Sequence, residues 1–258
     1  MKVNEIYNEN CLDTMARMED NFIDLTVTSP PYDNLREYNG YSFDFESIAK
    51  ELFRVTKEGG VVVWNVGDAT VKGSETGSSF RQALYFMECG FNLHDTMIWN
   101  KPNSFNFGSN LCYIQCFEYM FILSKGKPKT INFIEDRLSL NAGKTFTGKS
   151  KDKNGNEVKD GKVKKTKLYK KRFNVWDINV GEKEAEHPAV FPTKLASDHI
   201  YSWSKEGDLV YDCFMGSGTT AKASYLLKRN WIGSELSKEY TEIANRRLEP
   251  HLTQCSLF

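Results

Sequence analysis

Residues 208–220 read DLVYDCFMGSGTT, and WIGSEL follows at 231–236. Leu209, Val210 and Tyr211, between two aspartates, form a short apolar run of the kind that makes a buried strand, and the glycines behind it mark a strand-to-helix turn. Gly216 and Gly218 permit a positive φ and let a ligand come close to the backbone. A helix is predicted from Thr219 to Leu227, and the amides that open it attract an anionic group such as a carboxylate or phosphate. Asp212, Phe214, Ser217 and Thr219 complete the turn. The next strand ends at Glu235, placed to accept hydrogen bonds from two ribose hydroxyls. These features point to a nucleoside-containing cofactor. The glycine spacing is not that of a dinucleotide fingerprint, which counts against a nicotinamide oxidoreductase, and no phosphate-loop lysine follows.

Outward from this motif, strand and helix patterns alternate. DLTVTS at 24–29 reads as a strand stopped by Pro30-Pro31. Residues 45–55 place Ile48, Leu52 and Val55 at helical spacing; Gly59-Gly60 is read as the end of that helix, and VVVWNV as a buried strand. Further helices are predicted at 79–89, 193–203 and 239–248, and further strands at 95–99, 117–123 and 175–180. Such alternation implies an α/β fold with a mostly parallel sheet, helices on both faces, and ligand sites at the carboxyl ends of the strands. The length of 258 residues suits one such domain with an insert.

A second segment, Thr28-Ser29-Pro30-Pro31-Tyr32, also falls directly after a strand. Two prolines fix the backbone and withdraw two amide donors, leaving carbonyls free to face a ligand. The Ser29 hydroxyl and the Pro30 carbonyl can take the two N–H bonds of an amino group on a flat ring, while Tyr32 stacks on its face. The same oxygens and ring face would stabilise positive charge growing on that nitrogen. Taken alone, the segment also reads as a plain strand-terminating turn.

The whole series runs TSPPY, then Arg36 and Tyr38, FEYMFILSKG, VWDI, HPAVFP, YDCFMGSGTT and WIGSEL. In this order it resembles the amino-methylating DNA methyltransferases, in the class whose catalytic motif precedes the cofactor motif. The match extends from about Asn8 to Leu248. The resemblance implies a Rossmann-like, S-adenosylmethionine-dependent methyltransferase fold, with S-adenosyl-L-methionine as cofactor and double-stranded DNA as partner. It implies that Ser29, Pro30, Pro31 and Tyr32 form the base pocket and that Asp212, Phe214, Gly216 and Gly218 surround the methionine part of the cofactor, with Glu235 on the ribose. His187 and Pro188 would begin the stretch closing over the methionine tail, with Lys194 nearby, and Asn10, Cys11 and Leu12 would pass near the adenine. Cys213 and Leu195 stand where the family often has proline; neither change removes a group the chemistry needs.

On this reading residues 1–124 are the catalytic half, 125–172 an insert and candidate target-recognition region, and 173–258 the cofactor-binding half of one domain. Within the family a serine opening the tetrapeptide is usual for cytosine enzymes and an aspartate for adenine enzymes, so Ser29 favours N4 of cytosine over N6 of adenine. Cytosine ring methylation would want a Pro-Cys nucleophile, and the sequence contains no such dipeptide. A methyltransferase acting on RNA or a protein amide usually carries its motifs in the opposite order. An inactive DNA-binding module is disfavoured because both motifs are intact.

Charge is unevenly spread. Lys144–Arg172 holds eleven lysines and one arginine against three acids, a net of +9, so the rest of a formally neutral chain carries −9. That asymmetry suits a local phosphate-binding patch, although a solvated lysine-rich loop would look the same. Cys112 and Cys116 lie close together in an aromatic stretch and read as core thiols, without the partners of a zinc site, and no metal is expected. No apolar window reaches membrane-spanning length and no secretory signal is visible, which makes the cytoplasm the expected compartment and a membrane partner unexpected. Whether a cognate restriction endonuclease accompanies the chain, or two copies form a homodimer, is left open by the residues.

Overall fold

Apolar runs bounded by turn residues become strands, and the amphipathic stretches between them become helices. The computed structural model describes residues 1–31, 43–104, 112–180 and 192–253. In chain order the elements are β1 (Glu5–Tyr7), α1 (Cys11–Ala16), β2 (Ile23–Thr28), α2 (Phe45–Val55), β3 (Thr56–Val66), β4 (Thr70–Val71), β5 (Ser74–Glu75), α3 (Ser78–Glu88), β6 (Asn92–Asn100) and β7 (Phe117–Ser124). They continue with β8 (Arg137–Leu138), β9 (Thr145–Lys151), β10 (Glu157–Lys165), β11 (Tyr169–Lys170), β12 (Val175–Asp177), α4 (Thr193–Trp203), β13 (Leu209–Asp212), α5 (Thr219–Leu226), β14 (Asn230–Ser234) and α6 (Lys238–Thr253). They fall into two compact units, one of Met1–Asn132 with Asn174–Phe258 and one of Phe133–Phe173.

The larger unit carries an eight-stranded sheet in the order β1-β14-β13-β2-β3-β7-β6-β12. Among the described strands of this sheet β7 alone runs antiparallel to its neighbours; the sheet's other pairs are parallel. Side chains alternate across the sheet as the pleat requires. Trp64, Phe121, Tyr211 and Ile232 join Ile48 and Leu52 of α2 and Phe86 of α3 in one core. On the other face Ile6, Met215 and Trp231 pack with Ala221 of α5 and with Ala244 and Leu248 of α6. This is the mixed, mostly parallel α/β architecture that the strand–helix alternation implies.

β2 feeds through α2 into β3 on one side of the sheet, whereas β13 feeds through α5 into β14 on the other. β2 and β13 lie side by side. Their carboxyl ends therefore flank the topological switch point, where open α/β sheets leave a crevice for ligands.

Several boundaries differ from the sequence reading. α2 ends at Val55 and β3 starts at once, so Gly59-Gly60 lies inside the strand and does not end the helix. The pair occupies an irregularity where Ile23 pairs with Thr56 but Leu25 with Val61. A side chain on Gly60 would come within 2.9 Å of the Asp24 carbonyl. β14 stops at Ser234, which leaves Glu235 on the loop beyond, and α6 runs on to Thr253. Cys112 and Cys116 are exposed, not core, because the segment before β7 lies on the surface with Tyr113 and Ile114. No described helix is long and apolar enough to cross a membrane.

Candidate active site at the sheet switch point

The two motifs meet at the switch point. β2 ends at Thr28, β13 at Asp212, and the Thr28 hydroxyl donates to Asp212 Oδ1 at 2.6 Å. The Phe214 amide donates to the same oxygen at 3.0 Å, and the Thr220 hydroxyl also bonds the carboxylate. Burial raises the Asp212 carboxyl above its usual range, and these hydrogen bonds only partly offset it. Cys213 lies beside Thr28 and is buried, so its thiol is pushed up too.

Beyond Asp212 the chain turns through Gly216 and Gly218, at φ +52° and +82°. A Cβ on Gly218 would sit 2.9 Å from Ala244 Cβ in α6, whereas at Gly216 it would meet only the Phe214 carbonyl at 3.9 Å. The first glycine thus leaves an open approach to the backbone, and the second permits close helix packing. Ser217 is buried and gripped by Arg247 of α6, which donates to its carbonyl at 2.6 Å and to its hydroxyl at 2.8 Å. The Thr219 hydroxyl, at the first residue of α5, is buried and has no hydrogen-bond partner among the described residues. A buried orphan hydroxyl at a helix start, beside an open glycine, suits a ligand carrying a carboxylate.

Glu235 is buried and closes the turn from the next strand. Its two oxygens accept one amide each, from Gly216 and from Ser237, both at 2.8 Å. Each carboxylate oxygen keeps room for a second donor such as a hydroxyl. Burial raises its pKa against the pull of those two amides. The Glu235 amide donates to the Tyr7 carbonyl at 3.0 Å, and Asn8 Nδ2 donates to the carbonyls of Glu235 and Leu236 at 2.8 and 3.0 Å. The N-terminal segment is thereby tied to the acidic residue. Asn10 caps α1 by accepting from the Leu12 amide at 2.9 Å. Cys11 follows, buried in the same core as Cys213, and its thiol is pushed up to about 12.

The aromatic wall behind the turn is Phe214, which meets Phe43 at 5.8 Å and Trp64 at 6.3 Å between ring centroids. Ser29, Pro30 and Pro31 follow β2 directly. Tyr32, Arg36, Tyr38, His187 and Pro188 lie outside the described residues. Lys194 points to Asp198 at 3.0 Å on the exposed side of α4.

Thus Asp212, Phe214, Gly216, Ser217, Gly218, Thr219 and Glu235 come together around one turn. Asn10 and Cys11 stand at the start of α1, whose preceding segment is bonded to Glu235. The sequence reading missed Thr28, Asn8, Thr220 and Arg247 as members of this arrangement. Their roles depend on partners as distant as 227 residues, for Asn8 and Glu235, and no local pattern signals them.

Comparison with known proteins bears on the family and the fold. The model of the N6/N4 methyltransferases, described as DNA methylase, matches residues 23–246. The orphan methyltransferase M.BamHII of Bacillus amyloliquefaciens is 59% identical over 239 residues, which cover 89% of this chain and 90% of that protein. The type II methyltransferase M.SmaI of Serratia marcescens is 28% identical over 272 residues, covering 90% and 86%. Among solved structures, the PvuII DNA methyltransferase (cytosine-N4-specific) superposes with a TM-score of 0.71 at 21% identity, covering 94% of this chain and 85% of that one. A complex of M1.HpyAVI with SAM gives 0.65 at 22% identity, covering 95% and 99%; these two likenesses are of fold. From the family match and the identity to M.BamHII, the chain belongs to the N6/N4 DNA methylases and is a DNA amino-methyltransferase.

Proposed function

We propose that this enzyme transfers the methyl group of S-adenosyl-L-methionine to N4 of a cytosine flipped out of double-stranded DNA. The observation that carries the reading is the junction of the Ser29-Pro30-Pro31 loop and the Asp212–Thr219 turn at one switch point, with a neutral hydroxyl at Ser29. In support, the PvuII enzyme of like fold is cytosine-N4-specific by name, and M1.HpyAVI was solved with SAM.

When bound, S-adenosyl-L-methionine supplies a methyl group activated by its sulfonium. The turn is built to hold such a ligand. Glu235 would take the ribose hydroxyls, and the Thr219 hydroxyl and α5 amides the carboxylate. Asp212, buried and already bonded on Oδ1, would face the positive amino group. Asn10 and Cys11 would border the adenine; His187 and Pro188 would cover the methionine tail.

Across the crevice, Ser29 Oγ and the Pro30 carbonyl would accept the two N–H bonds of the target amine, with Pro31 fixing the loop and Tyr32 stacked on the base. Their service is alignment and desolvation, which suffice when the leaving group is good. No covalent intermediate arises, and the surplus proton leaves the nitrogen to water after transfer. A base inside a duplex must be extruded to reach this site. The lysine-rich unit Phe133–Phe173 would hold phosphates of the same duplex, which positions the protein without specifying sequence.

The test is product identification after incubation of the enzyme with labelled cofactor and unmethylated genomic DNA. Labelled N4-methylcytosine supports the reading. N6-methyladenine would keep the enzyme class and remove the cytosine assignment.

A further inference from the structure

Unit Phe133–Phe173 holds two antiparallel two-stranded ladders, the hairpin β9–β10 and, formed by the segments on either side of it, β8 with β11. It carries eleven lysines and two arginines against five acids, a net of +8. Ser139 is its only buried residue among those whose side chains are described. The unit's described side chains therefore form no apolar core of their own, yet Leu138, Leu140, Phe146, Val163, Leu168 and Tyr169 face solvent. Apolar side chains held out among cations mark a surface meant to be covered, and the charge points to a polyanion as the cover.

Leu140 is the extreme case, at 98% exposure. It sits on the turn between β8 and β9, and that turn is pinned. Ser139 donates its amide to the Leu168 carbonyl at 2.9 Å and Gly143 to Thr166 at 3.0 Å, while Thr166 returns a bond to Lys144 at 2.9 Å. Within the turn, Ala142 bonds Ser139 at 3.1 Å and Lys144 bonds Asn141 at 3.1 Å. A leucine fixed outward on a backbone this constrained loses little further entropy on insertion. Duplex DNA offers such a side chain two apolar surfaces, the thymine methyls of the major groove and the larger stacked faces of its bases, reached by parting a base step.

We propose that the Leu140 turn is a wedge that enters the base stack of bound duplex DNA and unstacks one step. The lysines of the unit hold the phosphates on either side. An unstacked step makes extrusion of a base cheaper, so the wedge serves methyl transfer on duplex substrate. This inference rests on the proposed action on double-stranded DNA.

Relaxed closed-circular plasmid, incubated with the enzyme and a topoisomerase and then stripped of protein, records unwinding as a change in linking number. Wild type should unwind the plasmid in proportion to the amount bound. Leu140→Ala should lose that unwinding while binding plasmid with affinity within about twofold of wild type, and its kcat for methyl transfer should fall about tenfold or more. Leu140→Met and Val163→Ala should keep both properties. Unwinding by Leu140→Ala equal to wild type, or none by wild type, overturns the wedge. So does a Leu140→Ala variant whose only defect is weaker plasmid affinity, or weaker self-association read by sedimentation. A wild-type enzyme that binds and unwinds plasmid but methylates no DNA would instead remove the proposed function and leave the wedge.

Discussion

The Thr28 hydroxyl bonds Asp212 Oδ1 across 2.6 Å, joining the ends of two strands that lie 184 residues apart in the chain. One strand leads into the loop proposed to take the base, the other into the turn proposed to take the cofactor. With the β2–β13 ladder, the bond holds the starts of the two loops together, and under the proposed roles that spacing would set the approach of amine to methyl.

Asp212 is buried with its carboxyl raised above the ordinary range, chiefly by desolvation. The folded chain then holds a proton at pH values where the unfolded chain is already ionised. Stability therefore falls as pH rises from the unfolded pKa through the folded one, and stays lower above it. Asp212→Asn should raise Tm by a few degrees at neutral pH, with the gain fading as pH drops through that window. It should also weaken cofactor binding. Thermal melts across pH and calorimetric titration check both.

Glu235 accepts two amides and is proposed to accept two ribose hydroxyls as well. Hydrogen bonds to a charged group contribute about 1.5–3 kcal/mol, so Glu235→Gln should weaken cofactor binding about tenfold or more. Its raised pKa sets the pH course. Affinity should be full above that pKa and decline as pH falls through it, starting at a higher pH than an ordinary glutamate would give. Cofactor titrations from pH 5 to 8 measure the shift, and a flat profile would contradict the assignment.

Gly218 and Gly73 share a left-handed backbone, at φ +82° and +81°. A Cβ would clash with Ala244 at the first and meet nothing within 4 Å at the second. Gly218→Ala should cost about 1–3 kcal/mol more than Gly73→Ala in chemical denaturation, because overpacking adds to the conformational strain both variants carry.

Lys144, Lys165 and Lys170 belong to the unit of net charge +8. Replacing all three by alanine should lower the slope of log Kd against log salt by roughly 0.9 for each phosphate no longer neutralised, and leave cofactor affinity unchanged. An unaltered slope would place the DNA elsewhere.

Much of the larger unit is legible in the sequence, for definite reasons. Residues 45–55 and 193–203 carry their helical period in Ile48, Leu52 and Val55 and in Leu195, Ala196 and Ile200, all buried. The segment before Gly216 is a short apolar run that becomes β13. Gly59-Gly60 misleads because glycine serves equally at a helix end and inside an irregular strand. The antiparallel course of β7 is invisible locally, since FEYMFILS is apolar on both faces whichever way it runs. Cys112 and Cys116 show that an aromatic neighbourhood in sequence need not be one in space. At the site, Asp212 and Glu235 stand out by position after apolar runs, whereas Thr28 and Arg247 act through partners that only the fold brings near.

The identity of the methylated base decides whether Ser29 and the Asp212–Thr219 turn do what is proposed for them. Purified enzyme, labelled S-adenosyl-L-methionine and unmethylated genomic DNA are incubated, the DNA is digested, and the nucleosides are read by mass spectrometry, with Ser29→Ala run in parallel. The expected product is N4-methylcytosine, formed at a rate that falls in the Ser29→Ala variant. N6-methyladenine in its place would contradict the cytosine assignment, and cofactor binding without any transfer to DNA would contradict the activity itself.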